Sequence, residues 1–243
     1  MAEAIEKNPL AYDTFHDFFI RRLKAEARPI HNNKNNILSP ADGRLSQHGF
    51  LDEDTLLQAK GKPYSVSALL AHDQILAHNF YGGAYGLIYL APHNYHRVHM
   101  PLAGNLLKMI YVPGKLYSVS PTTAENIDGL FAKNERVIII FETSIGKMAV
   151  ILVGAMIVGS ISTIWAGKIT PPRKQRSVTH IDYEEQNIRL SAGQELGYFS
   201  LGSTVIVLFQ KNTIEWNSGL ENTEIQMGQN LGHTTTNSNK TTR

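Results

Sequence analysis

Apolar and polar positions change their period along this chain. Near the N-terminus Phe15, Phe18, Phe19 and Leu23 fall at i, i+3, i+4 and i+8, one face of an α-helix, with Arg21, Arg22 and Lys24 largely off that face. Thr14 followed by Asp17 forms a capping box that predicts the start of this helix. A second short helix is predicted within 65–76. From Ala84 onward the pattern is that of strands. Segments 86–91, 104–112, 136–142, 147–154, 156–165 and 203–209 are rich in Val and Ile and are set off by Gly, Pro and polar residues. Ser144-Ile145-Gly146 is short enough to close a hairpin. The tail from Asn217 to Arg243 is rich in Asn, Thr, Gly and Gln, lacks apolar periodicity, and reads as disordered. The expected fold is α+β, a mainly antiparallel β core with helices at its N-terminal end. It divides into a helical segment over 1–30 that could touch a membrane, a single domain over 31–212, and a disordered tail over 213–243.

Composition narrows the classes. The chain has 243 residues, 42% hydrophobic and 18% charged, which describes an ordinary globular protein. A formal charge of +2 gives no reason to expect nucleic acid. With no cysteine, disulfides, thiolate metal sites and cysteine nucleophiles are excluded, and a reducing compartment is compatible. The N-terminus lacks the basic start and apolar core of a signal peptide. The longest apolar stretch, 149–158, falls well short of the ~18 residues of a membrane-spanning helix. Any work on lipid is therefore expected from the membrane surface. The Phe15 helix reads either as docked on the core or as lying in the interface with its cations near phosphate. Lys168, Arg173, Lys174 and Arg176 surround Pro171-Pro172 with no acid nearby. This is a solvated loop by default, or a contact for anionic headgroups at about 1 kcal/mol per cation.

The candidate chemistry begins at Leu201-Gly202-Ser203-Thr204, just before a buried strand. Gly202 has no Cβ, so the Ser203 hydroxyl can approach the Gly202 carbonyl. Asp42-Gly43 and His96-Arg97-Val98-His99 supply an acid and two imidazoles, completing the parts of a base-activated nucleophile. Each also has an ordinary reading: Pro40-Ala41-Asp42-Gly43 is good turn chemistry, and a lone histidine often serves structure. His93, His96 and His99 are spaced by three, but in an extended segment such residues point to opposite faces, so no metal site is expected. Glu142 and Glu195 read equally well as surface strand ends.

Several motifs occur together: Thr14-Phe15-His16-Asp17-Phe18-Phe19, Pro40-Ala41-Asp42-Gly43, Gln58-Ala59-Lys60-Gly61 and Tyr95-His96-Arg97-Val98-His99-Met100-Pro101. Phe131-Ala132-Lys133-Asn134-Glu135-Arg136-Val137, Val153-Gly154-Ala155, Val158-Gly159-Ser160-Ile161, Trp165-Ala166-Gly167, Gly193-Gln194-Glu195-Leu196-Gly197 and Leu201-Gly202-Ser203-Thr204 follow. In this order, from about Phe15 to Phe209, the chain resembles the bacterial phosphatidylserine decarboxylases of the prokaryotic type I, which depend on a pyruvoyl group. Decarboxylating an amino acid leaves electrons on Cα, and an electron sink is needed to take them. The resemblance implies that this sink is a covalent pyruvoyl group made from Ser203, with neither pyridoxal phosphate nor metal. Self-cleavage between Gly202 and Ser203 would give a β chain of 1–202 and an α chain of 203–243. His99 is implied as the base and Asp42 as the group that orients it. Ser203 becomes the group that condenses with the substrate amine, and His96 acts in decarboxylation or protonation.

Tyr89 and Tyr95 are candidates to line the substrate pocket, although a buried aromatic with a satisfied hydroxyl is the more ordinary role for either. The implied substrate is phosphatidylserine in the membrane and the products are phosphatidylethanolamine and carbon dioxide. The implied assembly is a homodimer of αβ units, peripheral on the cytoplasmic face of the bacterial inner membrane, with no nucleic acid partner. Family members usually carry further helical, membrane-contacting sequence before the segment matching Phe15; fourteen residues precede it here. A hydrolase using the same Ser, His and Asp lacks support, because there is no Gly-x-Ser-x-Gly elbow. An uncleaved lipid-binding protein is the third alternative.

Overall fold

A computed structural model describes residues 1–30, 33–58, 62–156, 160–170, 177–200 and 203–235. Its centre is set by strands that are apolar at nearly every position and therefore need cover on both faces. The Ser203–Phe209 strand is buried throughout. It is flanked by Gly146–Val153 on one side and Ala84–Leu90 on the other, both antiparallel. The nine-stranded sheet runs Thr179–Asp182, Gly104–Val112, Arg136–Thr143, Gly146–Val153, Ser203–Phe209, Ala84–Leu90, Gly43–Phe50 and Thr223–Ile225. Arg189–Leu190 pairs additionally with Gly104–Val112.

The two-residue period of a strand sends alternate side chains to separate cores. Val205, Val207 and Phe209 join Ile88, Leu90, Val150 and Leu152 on one face. Ile206 and Leu208 join Leu87, Ala149 and Ile151 on the other. The first face is covered by a four-stranded sheet of Gly167–Lys168, Ile161–Thr163, Glu195–Phe199 and Arg97–His99, which contributes Val98, Ile161, Leu196 and Phe199. The second is covered by short helices, Val66–Leu69, Gln74–His78, Pro121–Asn126 and Leu130–Lys133, through Val66, Leu69, Leu76, Ala124, Leu130 and Phe131. The result is three layers with a site available wherever the two sheets meet at an end.

Strands Gly104–Val112 and Ser203–Phe209 have the bounds that the apolar pattern predicts, and the turn at Ser144-Ile145 closes the expected hairpin. Four expectations need correction. The N-terminal helix spans only Phe15–Phe19, although Thr14 caps it as expected, its side chain accepting from the Asp17 amide at 3.1 Å. It stops because Arg97 Nε takes the Ile20 carbonyl at 2.9 Å, and Leu23 leaves the helical face to bridge Ala4. The helix expected over 65–76 is two, broken where Ala71 and His72 adopt φ of 62° and 63°, and Asp73 caps the second.

The strand expected over 156–165 reduces, among the described residues, to Ile161–Thr163, with 157–159 outside them. Among its described residues, up to 235, the tail is ordered: Ile214–Trp216, Thr223–Ile225 and Asn230–Thr234 are strands, and Leu220, Ile225, Met227 and Leu231 are buried. Its apolar residues are single anchors without a period, and its strands pair with Asn36–Leu38 and Gly43–Phe50, far away in sequence. Residues 236–243, Arg173, Lys174, Arg176 and Pro171-Pro172 lie outside the described residues.

One buried cation ties the layers together. Arg136 is 2% exposed and donates to the carbonyls of Leu69 (2.7 Å), Ala68 (2.8 Å), Ala132 (2.7 Å) and Asn134 (2.9 Å), the ends of two helices. Burial pulls its pKa down to about 10, so it stays charged at neutral pH. Replacing Arg136 with Met strands those carbonyls, and a loss of about 3 kcal/mol is expected. Urea unfolding in a Ser203→Ala background, which removes the hydroxyl expected to cut the chain, measures it. A loss below about 1 kcal/mol, the value of an ordinary hydrogen bond, would contradict the role.

Candidate active site

Register brings the sequence-predicted groups together. Ser203 lies opposite Leu90, Arg44 opposite Tyr89 and Ile225 opposite Gly43. Gly43, Leu90 and Ser203 therefore sit in one row over three neighbouring strands. At about 4.8 Å per strand the row places Gly43 roughly 10 Å from Ser203. Glycine is needed at 43: its φ is +152°, and a Cβ there would lie 2.3 Å from the Tyr89 carbonyl oxygen. Asp42, one residue earlier, thus enters at the same end of the sheet as the serine.

The smaller sheet delivers the histidines to that end. The His99 amide donates to the Pro40 carbonyl at 2.8 Å, and the Phe199 amide to the His96 carbonyl at 3.0 Å. Ser200 donates its amide to the Ser160 carbonyl at 2.9 Å, and the two hydroxyls are 2.7 Å apart. The segment entering Leu201 and Gly202, which lie outside the described residues, therefore starts beside His96.

The environment fixes the protonation of both imidazoles. His99 Nδ1 lies 2.9 Å from the Gly193 carbonyl, which can only accept, so Nδ1 carries the hydrogen. Its Nε2 lone pair then faces the Tyr95 hydroxyl at 3.1 Å, which donates to it. Burial lowers the His99 pKa, opposed by the Gly193 bond and by Glu195 and Asp42. Burial pushes Tyr95 up to about 12, so it remains a donor. His96 is fully buried under Phe19, ring centroids 4.1 Å apart, and its Nδ1 is 2.9 Å from the Asn94 carbonyl. Its Nε2 is buried without a hydrogen-bond partner among the described residues, and burial lowers its pKa to about 4. Both rings are neutral at physiological pH, each with an Nε2 lone pair.

Ser203 is likewise 0% exposed, and its hydroxyl has no hydrogen-bond partner among the described residues. Leaving such a group unpaired costs about 1–3 kcal/mol, and the neighbouring Thr204 hydroxyl is unpaired in the same way. The hydroxyl fits a residue that becomes a carbonyl group, since conversion removes a donor that is unpaired among the described residues.

Asp42 is engaged elsewhere. Its Oδ1 accepts from Arg28 Nε and from the Met227 amide, both at 2.9 Å, and its Oδ2 accepts from Arg28 Nη2. Asp42 acts on His99 through its field, while the Gly193 carbonyl fixes the tautomer. Tyr89 does not join the group. As the pleat neighbour of Leu90 it faces the opposite side of the sheet, lining a separate cavity of about 370 Å³ with Val119 and Phe131. His93 lines a polar cavity of about 460 Å³ with Asp42 and Tyr95, apart from His99.

The family described as phosphatidylserine decarboxylase matches residues 15–233. The chain belongs to this family. A phosphatidylserine decarboxylase proenzyme of Azotobacter vinelandii is 51% identical over 236 residues, 96% of this chain and 82% of that protein. Proteins of the same name from Saccharophagus degradans and Pasteurella multocida are each 50% identical, over 230 and 234 residues. These alignments cover 94% and 96% of this chain, and 80% and 79% of the relatives.

In this phosphatidylserine decarboxylase family member, three participants escape sequence reasoning. Gly193 acts through a backbone carbonyl, which no side chain advertises; its φ of +74° and the Ile30 side chain 2.1 Å from any added Cβ are the reasons for glycine there. Arg28 is a single cation in a polar stretch. Glu195, which reads as a strand end, binds Arg97 at 2.6 Å, and Arg97 holds Ile20 and so keeps Phe19 over His96.

Were His99 the base of self-cleavage, its lowered pKa would have a kinetic consequence, since a base works only when neutral. Self-cleavage should persist below pH 6.5, the ordinary histidine value, and decline only as pH falls through the lowered pKa. Precursor made in a cell-free system and quenched over time gives the rate at each pH. An acid limb centred at or above pH 7 would contradict the neutral, buried base.

Proposed function

We propose that this chain cuts itself between Gly202 and Ser203, converts Ser203 to a pyruvoyl group, and then decarboxylates phosphatidylserine to phosphatidylethanolamine and carbon dioxide. The observation that carries this reading is the Ser203 hydroxyl, buried and unpaired at the first position of the central strand, at the end of the sheet where His99 has a lone pair. His99 Nε2 receives the hydroxyl proton once Tyr95 swings off it. The Ser203 oxygen bonds to the Gly202 carbonyl carbon, and the imidazolium returns that proton to the residue 203 nitrogen as the peptide C–N bond breaks, leaving an ester and a free amine. Loss of the residue 203 Cα proton with departure of the Gly202 carboxylate gives dehydroalanine. Water then releases ammonia and leaves the pyruvoyl carbonyl. Asp42 stabilises the transient imidazolium through its field.

The pyruvoyl carbonyl supplies the electron sink for decarboxylation. The rest falls to side chains. Phe19 covers His96 and keeps water from it. The neutral His96 Nε2 is the atom suited to take a proton from the substrate and return one to Cα after carbon dioxide leaves. The reading makes the protein peripheral on the cytoplasmic face of the cell membrane and a homodimer of αβ units. Exposed Leu10 (90%), Phe15 (65%) and Ile5 (62%) support membrane contact near the first helix. Among the described residues no helix is long and apolar enough to cross a membrane.

Substitutions separate the roles, read by denaturing electrophoresis for cleavage and by carbon dioxide release for turnover. Ser203→Ala should stay whole and inactive, and His99→Ala and Asp42→Ala should cut at least about a hundredfold more slowly. His96→Ala should cut normally and decarboxylate poorly. A His96→Ala chain that stays whole would overturn the division between the histidines. Ser203 labelled by a fluorophosphonate in an intact, active chain would replace the reading with a hydrolase.

A further inference from the structure

In the polar cavity beside Asp42, Arg28 is held by a second carboxylate of the same chain, Glu3. Arg28 is a two-sided guanidinium. Its inner edge holds Asp42, and its outer edge holds Glu3, with Nη1 and Nη2 each 3.0 Å from a Glu3 carboxylate oxygen. The two carboxylates differ in cover: the Asp42 side chain is 8% exposed and that of Glu3 53%. Arg21 lines the same cavity, donates to the His93 carbonyl at 3.2 Å, and has no carboxylate partner among the described residues. The Glu3 pKa is lowered, first by its bond to Arg28 and also by the charge of Arg21, so one carboxylate feels both cations.

Position says which anion belongs there. Arg21 stacks over Phe18, its guanidinium carbon 5.4 Å from the ring centroid, on the segment that exposes Phe15 and Leu10. On the inner side, Asn94 and Tyr95 line the cavity and hydrogen-bond His96 and His99. The site thus lies between the surface that would meet acyl chains and the histidines that would meet the serine moiety. In a phospholipid, the group between those two ends is the phosphodiester. The serine carboxylate is the poorer fit, because an ion pair to it would stabilise the ground state and oppose loss of carbon dioxide.

We propose that Arg21 and the outer edge of Arg28 bind the phosphodiester of the lipid substrate, and that the lipid displaces Glu3 from this site on entry. The inference rests on the proposed decarboxylase reading and adds a substrate-binding residue and an internal competitor to it. The phosphodiester is unchanged by the reaction, so its contacts bind substrate and transition state alike and act on KM rather than kcat.

The test uses the cleaved two-piece enzyme and dihexanoyl lipids dissolved as monomers, which removes adsorption to a membrane. Arg21→Gln should raise KM for dihexanoyl phosphatidylserine about tenfold, the scale of one charge-assisted hydrogen bond, with kcat within about twofold. Glu3→Gln should lower KM. Calorimetric titration with dihexanoyl phosphatidylethanolamine, which keeps the phosphodiester and lacks the carboxylate, should show Arg21→Gln weakening it by the same factor. Unchanged product affinity in Arg21→Gln overturns the proposal. So does a KM effect seen only on vesicles, which would mark general attraction to the membrane, or a fall in kcat at constant KM. If wild-type enzyme binds the product but releases no carbon dioxide, the decarboxylase reading fails while the product titration still decides the anion site. Should Arg21→Gln remain uncut, Arg21→Lys is titrated instead, with an intermediate loss expected.

Discussion

The chemistry depends on the Ser203–Phe209 strand being held from both sides. Ladders to Ala84–Leu90 and Gly146–Val153 run along its length, and its side chains fill both cores. A chain cut immediately before such a strand gains a new terminus without gaining freedom at that point. An end residue on an edge strand or loop would fray, and a carbonyl there would lose its alignment with the histidines. The later strands Ile214–Trp216, Thr223–Ile225 and Asn230–Thr234 add to the hold by pairing with segments that precede the cut. They also supply the Met227 amide to Asp42. The piece after the cut is thus part of the machinery that positions the piece before it.

Burial then tunes what the strand positions. His96 and His99 each tie Nδ1 to a backbone carbonyl and keep Nε2 as a lone pair, and burial keeps both rings uncharged. Two neutral imidazoles at the same end of the sheet as Ser203 make a site able to accept protons. Asp42 is held in a buried pair with Arg28, which fixes the position from which its charge acts on His99.

Much of this was legible in the sequence where the signal is local. The Val and Ile runs of Gly104–Val112 and Ser203–Phe209 give their own bounds, because strands buried on both faces leave little choice of residue. Ser203, His96, His99 and Asp42 stand in motifs, and register gathers them at one end of the sheet. What was hidden is nonlocal. Leu220, Met227 and Leu231 anchor a tail whose strands exist only because distant partners exist. Gly193 works through its carbonyl, Arg28 gains its importance from two carboxylates remote in sequence, and Tyr89 needed the pleat to assign it to the far face. The five-residue first helix was overcalled because its end is set by Arg97, a tertiary partner that periodicity does not see.

The most direct test is the mass of the short piece, measured after denaturation and again under native conditions. The account expects a fragment starting at residue 203 that is lighter by one ammonia than the same fragment beginning with serine, and a native particle that retains both pieces. An active preparation whose residue 203 is an unmodified serine, in an intact chain or at the head of the fragment, would contradict it.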